Sequence, residues 1–208
     1  MTADVEKISK PNTTKDKILT AAIELMAEGG YSGASMRKIA RKVGIRESAI
    51  YNHFKNKDEI FQTIMQQLFS NPFEDFFQKK PIEEYAPKGK RYLYEYAATI
   101  KLLTFDPKNE KLFRIILAEL LHNKDVRKLF LKYFYDENIK QLSKAFFIMM
   151  QNGLIRSADP MLMAQEFFAP FLYWRIDITL LRIDEESTQH LSTIFEKHVD
   201  FFWENVAL

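Results

Sequence analysis

The chain has 208 residues, 30 basic against 28 acidic side chains, a net charge of +2 and no cysteine. The lack of cysteine removes disulfide scaffolds, thiolate nucleophiles and cysteine-ligated zinc, and fits a reducing cytoplasm. Met1–Pro11 carries Asp4, Glu6, Lys7 and Lys10 without an apolar core, so it reads as no secretory signal, and no uncharged apolar run is long enough to cross a bilayer.

Six glycines and seven prolines leave little chain for turns and favour long helices over many short strands. Residues 1–12 are expected to be a flexible tail. Thr13 with Asp16 forms a capping-box pattern, and Ile18, Leu19, Ala22, Ile23 and Met26 then make one helical stripe ending at Gly29-Gly30. Ser35 caps a short second helix holding Met36, Ile39, Ala40 and Val43, closed by Gly44. A third runs from about Arg46 to Phe54. Asn56 with Glu59 opens a fourth through Ile60, Phe61, Ile64, Leu68 and Phe69, until Asn71-Pro72 breaks it.

Pro81, Pro87 and Gly89 mark a loop, and helical spacing then predicts five more helices. One covers about Lys90 to Thr104. Asp106-Pro107 caps and starts the next, to about Leu121. Asn123 caps a long one to Asn152, stopped by Gly153, and Asp159-Pro160 starts another to about Ile183, with Pro170 expected to kink it. The last spans about Ser187 to Asn205. The chain reads as all-α with about nine helices: a head over residues 13–57 and a helical body over residues 58–208.

The head carries the sharper pattern. Counted from Met36, the fifth residue is the small Ala40, the ninth is Gly44 and the fifteenth is the apolar Ile50. A helix-turn-helix needs a small residue where its helices cross, a turn that tolerates positive φ, and an apolar plug in the angle between them. Between Ser35 and Lys57 stand Arg37, Lys38, Arg41, Lys42, Arg46, Lys55 and Lys57 against the single acid Glu47. Spacing alone suits equally a three-helix bundle whose basic face meets only water, with Tyr51 packing and His53 capping.

Ser35-Met36-Arg37-Lys38-Ile39-Ala40, Gly44-Ile45 and the block Ile50-Tyr51-Asn52-His53-Phe54-Lys55-Asn56-Lys57-Asp58-Glu59-Ile60 make residues 13–65 resemble the TetR family of bacterial regulators. The resemblance implies a dimer on double-stranded palindromic operator DNA, probed by a helix in the major groove and switched by a small molecule. It implies phosphate contacts from Ser35 and Arg37, a groove-facing set of Arg46, Glu47, Ser48 and Ala49, and backbone or base-edge contacts from Tyr51 and His53. Lys57 is expected to grip phosphate at the start of the fourth helix. Arg46 stands where a serine often caps the recognition helix, and Ser48-Ala49 where Gly-Thr is frequent, so base assignments are looser than the placement of the helix.

In the body, 18 phenylalanines and nine tyrosines concentrate after residue 60. Most such residues build a core, yet rings and methionines also line apolar ligand sites. The expected effector is apolar or aromatic. Phe61, Phe69, Tyr92, Tyr96, Ile100, Phe113 and Leu117 are expected around it from the fourth to sixth helices. Phe134, Phe146, Met149 and Trp174 come from the seventh and eighth. Tyr96, His122, Tyr133 and Arg175 are its polar candidates. The last two helices are apolar on more than one face, so they must bury two sides. With the resemblance this places Phe167, Phe171, Trp174, Ile178, Leu181, Ile194, Phe195, Val199 and Phe202 in a four-helix homodimer interface.

Two other classes fit less well. His53, His122, His190 and His198 form no metal-ligand motif, and neither a glycine-rich phosphate loop nor a nucleophile motif is present, so no enzyme, metal or cofactor is expected. A chromosome-associated DNA-binding protein of the same fold, without an effector, shares the head and stays open.

Overall fold

The computed structural model describes residues 13–69, 76 and 79–208, without the side chains of residues 68, 69 and 133–135. The expected tail and the break at Asn71-Pro72 lie outside the described residues.

Helix α1 spans Thr14–Gly33. Thr13 Oγ1 accepts from the Asp16 N–H at 3.1 Å while the Asp16 carboxylate accepts from the Thr13 N–H at 3.2 Å, the reciprocal box anticipated from the sequence. The helical path is interrupted at Gly29 and Gly30, the latter at φ +64°, and one further turn follows. Helix α2 is Met36–Val43, with Ser35 Oγ accepting from the Lys38 N–H at 3.2 Å. Gly44 closes it at φ +80°, a left-handed conformation that costs a glycine nothing sterically. Helix α3 is Glu47–Ile50, shorter than expected because its hydrogen bonding tightens into a turn that carries the chain to Phe54. Asn56 Oδ1 accepts from the Glu59 N–H at 2.9 Å and opens α4, Lys57–Phe69.

A short helix, α5 (Ile82–Tyr85), and a 3-10 turn over Ala86–Lys88 occupy the expected loop, pinned by the buried Ile82 and Ala86. Helices α6 (Lys90–Phe105) and α7 (Pro107–Glu119) follow, the second capped by Asp106. The long helix expected from Asn123 is three segments: α8 (Lys124–Leu129), a π-helical stretch over Phe130–Asp136, and α9 (Glu137–Gln151). Helix α10 (Pro160–Ile183) is capped by Asp159 and runs through Pro170 as one element. The last helix, α11 (Ile194–Val206), starts later than expected, after a 3-10 turn over Gln189–Leu191.

Two apolar cores organise these helices. Ile18, Ala22 and Met26 of α1, Ile39 and Ala40 of α2, and Ile50 at the end of α3 pack with Ile60 and Ile64 of α4 and with Phe113, Ile115 and Ile116 of α7. The second core joins α6, α9, α10 and α11 around Tyr96, Phe146, Phe167 and Phe195. The head's core is thus completed by α4 and α7, so apolar packing does not divide at the expected boundary of residues 57 and 58. Among the described helices none is long and apolar enough to cross a membrane.

Candidate nucleic-acid interface

Ala40 is 3% and Ile50 0% exposed, so the residues read as crossing point and plug are both shut inside the head. That leaves the outward side of α2 and α3 to polar residues. Ser35 and Arg37 are exposed at the start of α2, Arg46, Glu47 and Ser48 at the start of α3, and Tyr51 and His53 in the turn after it, while Ala49 is half-buried. No side chain caps α3, because an arginine at its N-cap brings no short acceptor to the free N–H groups.

The basic excess is partly used up within the protein. Lys42 bonds Glu24 of α1 at 2.9 Å, and Lys111 of α7 lies 3.4 Å from the same carboxylate. Burial acts to raise the pKa of Glu24, but the two ammonium groups outweigh it and hold the carboxyl below its ordinary value. Lys38 donates to the Gly33 carbonyl at 2.8 Å. Arg37, Arg41, Arg46 and Lys55 remain exposed on this side.

Lys57 differs from the expected surface phosphate grip. It is half-buried, its ammonium donates to the carbonyls of Tyr31 and Ala34 at 3.1 and 3.2 Å, and it lies 3.7 Å from the centroid of the Tyr31 ring. The first turn of α4 is thereby tied to the end of α1. The Tyr31 hydroxyl donates to Asp58, and burial with that carboxylate pushes its pKa up to about 12. No sequence pattern marks Tyr31, whose partners stand far from it along the chain.

The expected effector residues fall in two cores. Tyr92, Tyr96, Ile100, Phe146 and Met149 are buried in the body's core with Trp174 against it, whereas Phe61, Phe113 and Leu117 belong to the head's core. His122, a polar candidate for the effector site, is exposed after α7. The side chains of Phe69, Tyr133 and Phe134 lie outside the described residues. Arg175 is buried with its guanidinium 4.2 Å from the Phe113 ring centroid, where the two cores meet, and burial draws its pKa down to about 10 against the pull of Glu110. Tyr96 donates to Oδ1 of the buried Asn138 at 3.3 Å, a partner the sequence reading missed because nothing distinguishes one asparagine in a helical stripe. The Tyr92 hydroxyl is buried without a hydrogen-bond partner among the described residues, and burial raises its pKa.

The expected interface set divides by burial in the single chain. Phe167, Phe171, Ile178, Phe195 and Val199 are buried within the subunit, because α11 packs its rings against those of α10 and spends them on the chain's own core. Trp174, Leu181, Ile194 and Phe202 are half-buried. The large apolar residues these two helices expose are Met161, Leu162, Tyr173, Leu180 and Ile183 on α10 and Phe201 on α11.

Residues 18–64 match the family described as bacterial regulatory proteins, tetR family, and residues 91–204 match the AefR-like transcriptional repressor C-terminal domain. The negative transcriptional regulator IcaR of the Staphylococcus epidermidis biofilm operon is 35% identical over 82 residues, 39% of this chain and 42% of that protein. The fatty acid metabolism regulator protein of Bacillus subtilis is 36% identical over 72 residues, 33% of this chain and 37% of that protein. The matched chain thus spans about two fifths of the length of these curated relatives. A TetR family regulator from Pseudomonas syringae pv. tomato superposes with a TM-score of 0.65 at 18% identity over 96% of this chain and 100% of that one. A regulator from Saccharomonospora viridis, solved with choline, superposes with a TM-score of 0.71 at 18% identity over 93% and 97%. At such identities the likeness is one of fold.

Proposed function

The chain belongs to the tetR family of bacterial regulatory proteins, and from that premise we propose that it is a transcriptional repressor. As a homodimer it grips a palindromic operator and is released when an apolar or aromatic small molecule enters its body. The observation that carries this reading is the head: Ala40 and Ile50 are buried while Arg37, Arg46, Glu47, Tyr51 and His53, on α2, at the start of α3 and in the turn after it, are all exposed. That is the division a groove-reading module needs, with cations to hold phosphates and a few side chains on one short helix for base edges.

The exposed apolar residues of α10 and α11 support pairing of two chains, which sets two heads about 34–36 Å apart, one turn of duplex. The ring-rich body, with a Tyr92 hydroxyl that has no hydrogen-bond partner among the described residues and the buried Arg175, supports a mostly apolar effector carrying one polar group. The Saccharomonospora viridis regulator holds choline, a cation that ring faces attract, so cationic compounds belong in an effector screen here. Regulation of transcription at an operator fits a cytoplasmic protein.

The test is in vitro selection of bound duplexes by the full chain, followed by salt titration. An enriched palindrome whose affinity falls steeply with salt is expected, because phosphate neutralisation releases counterions. Recovery of no enriched sequence overturns the reading.

A further inference from the structure

The turn between α1 and α2 is held at both ends by charge from other parts of the chain. The break at Gly29-Gly30 takes the Tyr31 N–H out of the α1 ladder, and that N–H donates at 2.8 Å to Oε1 of Glu119, the last residue of α7 and 88 positions away. At the other end, the carbonyls of Tyr31 and Ala34 accept from the Lys57 ammonium of α4 at 3.1 and 3.2 Å. An anion thus sits at the donor that the break releases and a cation at the carbonyls that end α1, one of which, that of Tyr31, also accepts from the Ala34 N–H at 3.4 Å. Ala34 directly precedes Ser35, the cap of α2, so whatever fixes the turn fixes where the helix-turn-helix begins. The fit is close: a Cβ on Gly30 would stand 3.1 Å from Glu119 Oε1, and Gly30 is held at φ +64° besides.

We propose that Glu119 is a positioning residue for operator binding, a latch by which the body sets the angle of the head through the Tyr31 N–H. Phe113, Ile115 and Ile116, on the same helix as Glu119, pack in the head's core, and Arg175 of α10 lies over Phe113, so α7 touches both head and body. A displacement of α7 reaches the head at Glu119. The bond needs an acceptor first and its charge second, since an amide oxygen also satisfies a backbone N–H, though more weakly than a carboxylate.

The inference rests on the operator reading above, and its test separates the two. The full chain is compared with Glu119→Ala and Glu119→Gln on the selected palindrome, on the same palindrome with one base pair added between half-sites, and on a random duplex. Glu119→Ala is expected to bind the palindrome about ten-fold more weakly and to lose most of its discrimination between the two spacings, with little change on the random duplex. Glu119→Gln is expected to stay much closer to the parent than to Glu119→Ala. Wild-type spacing discrimination in Glu119→Ala, an equal fall on all three duplexes, or a Glu119→Gln as impaired as Glu119→Ala overturns the latch. Hydrogen exchange in the free parent protein gives a reading that needs no DNA: the Tyr31 amide is expected to be protected, and exchange at the rate of an open loop overturns the latch even if no palindrome is ever selected.

Discussion

The imidazole of His198 stacks on the ring of Phe167, with centroids 5.3 Å apart and planes 22° from parallel, and its Nε2 donates to the backbone carbonyl of the same residue at 2.9 Å. One residue of α10 thus holds both the face and the edge of one residue of α11. Rings of Phe171, Trp174 and Phe202 complete the surround. Burial disfavours the imidazolium and is the larger effect, so the His198 pKa lies below 6.5 although the Phe167 carbonyl pulls it back. The unfolded chain therefore takes up this proton first as pH falls. The stability His198 contributes is fully present above about pH 6.5 and is lost as pH drops from there through the depressed folded value, by at most about 1.4 kcal/mol per pH unit. Thermal unfolding between pH 8 and 5 is expected to show this loss, and His198→Gln, which keeps a donor but does not titrate, to show a flatter profile.

The Tyr92 hydroxyl pays desolvation without a hydrogen bond among the described residues, whereas that of Tyr96 bonds Asn138. Tyr92→Phe is expected to leave stability unchanged or raise it by up to about 1 kcal/mol, and Tyr96→Phe to lower it by about 1 kcal/mol or more, since Asn138 loses a partner. Chemical denaturation of the two variants decides this. A Tyr92→Phe that loses more than Tyr96→Phe would show the hydroxyl to be bonded after all.

Within the head, Ile50→Ala empties a fully buried site and is expected to cost about 2–5 kcal/mol, while Ala40→Leu forces bulk into the crossing of α2 and α3 and costs about 1–3 kcal/mol. Both changes should weaken selected-duplex binding and lower the midpoint of thermal unfolding, since the core they disturb is shared with α4 and α7. Unaltered operator binding by Ala40→Leu would mean that the helices do not cross at that residue.

On the outer face the expected effects divide by role. Arg37→Ala should weaken every duplex alike and reduce the slope of log affinity against log salt by about one, the signature of one lost phosphate contact. Changes at Arg46 or Glu47, exposed at the start of α3, should instead alter which bases are preferred, measured by repeating the selection with each variant. Lys57→Ala is expected to act otherwise, lowering stability through the lost Tyr31 and Ala34 contacts.

What the sequence foretold and what it did not divide along the range of the interactions. The caps at Thr13, Ser35, Asn56, Asp106, Asn123 and Asp159 are local devices spanning a few residues, and each is found at the start of its helix. The burial of Ala40 and Ile50 follows from steric rules equally local. The π-helical stretch over Phe130–Asp136 was hidden because an apolar stripe over seven residues hardly separates a 3.6-residue turn from a wider one. The sequence offers Lys57 as a phosphate grip and hides its internal partners, since Tyr31 and Ala34 lie some two dozen positions upstream. The Tyr31–Glu119 bond was beyond any sequence rule: nothing in either residue names the other across 88 positions.

The same limit governs α10 and α11, and it fixes the last expectation. A helix apolar on several faces must bury them all, but composition cannot say which face meets its own subunit and which a second copy. Phe167, Phe171 and Phe195 went inward, which leaves Tyr173, Leu180, Ile183 and Phe201 in water, 64%, 54%, 51% and 68% exposed in the single chain. Exposed side chains contribute little to the fold of the isolated subunit, so charging them should not unfold it. Leu180→Glu combined with Phe201→Glu is expected to turn a dimer into a monomer in sedimentation at micromolar concentration, with helical content retained and operator affinity lost through separation of the two heads. A variant that sediments as the parent does would place the contact between subunits on another face of the body.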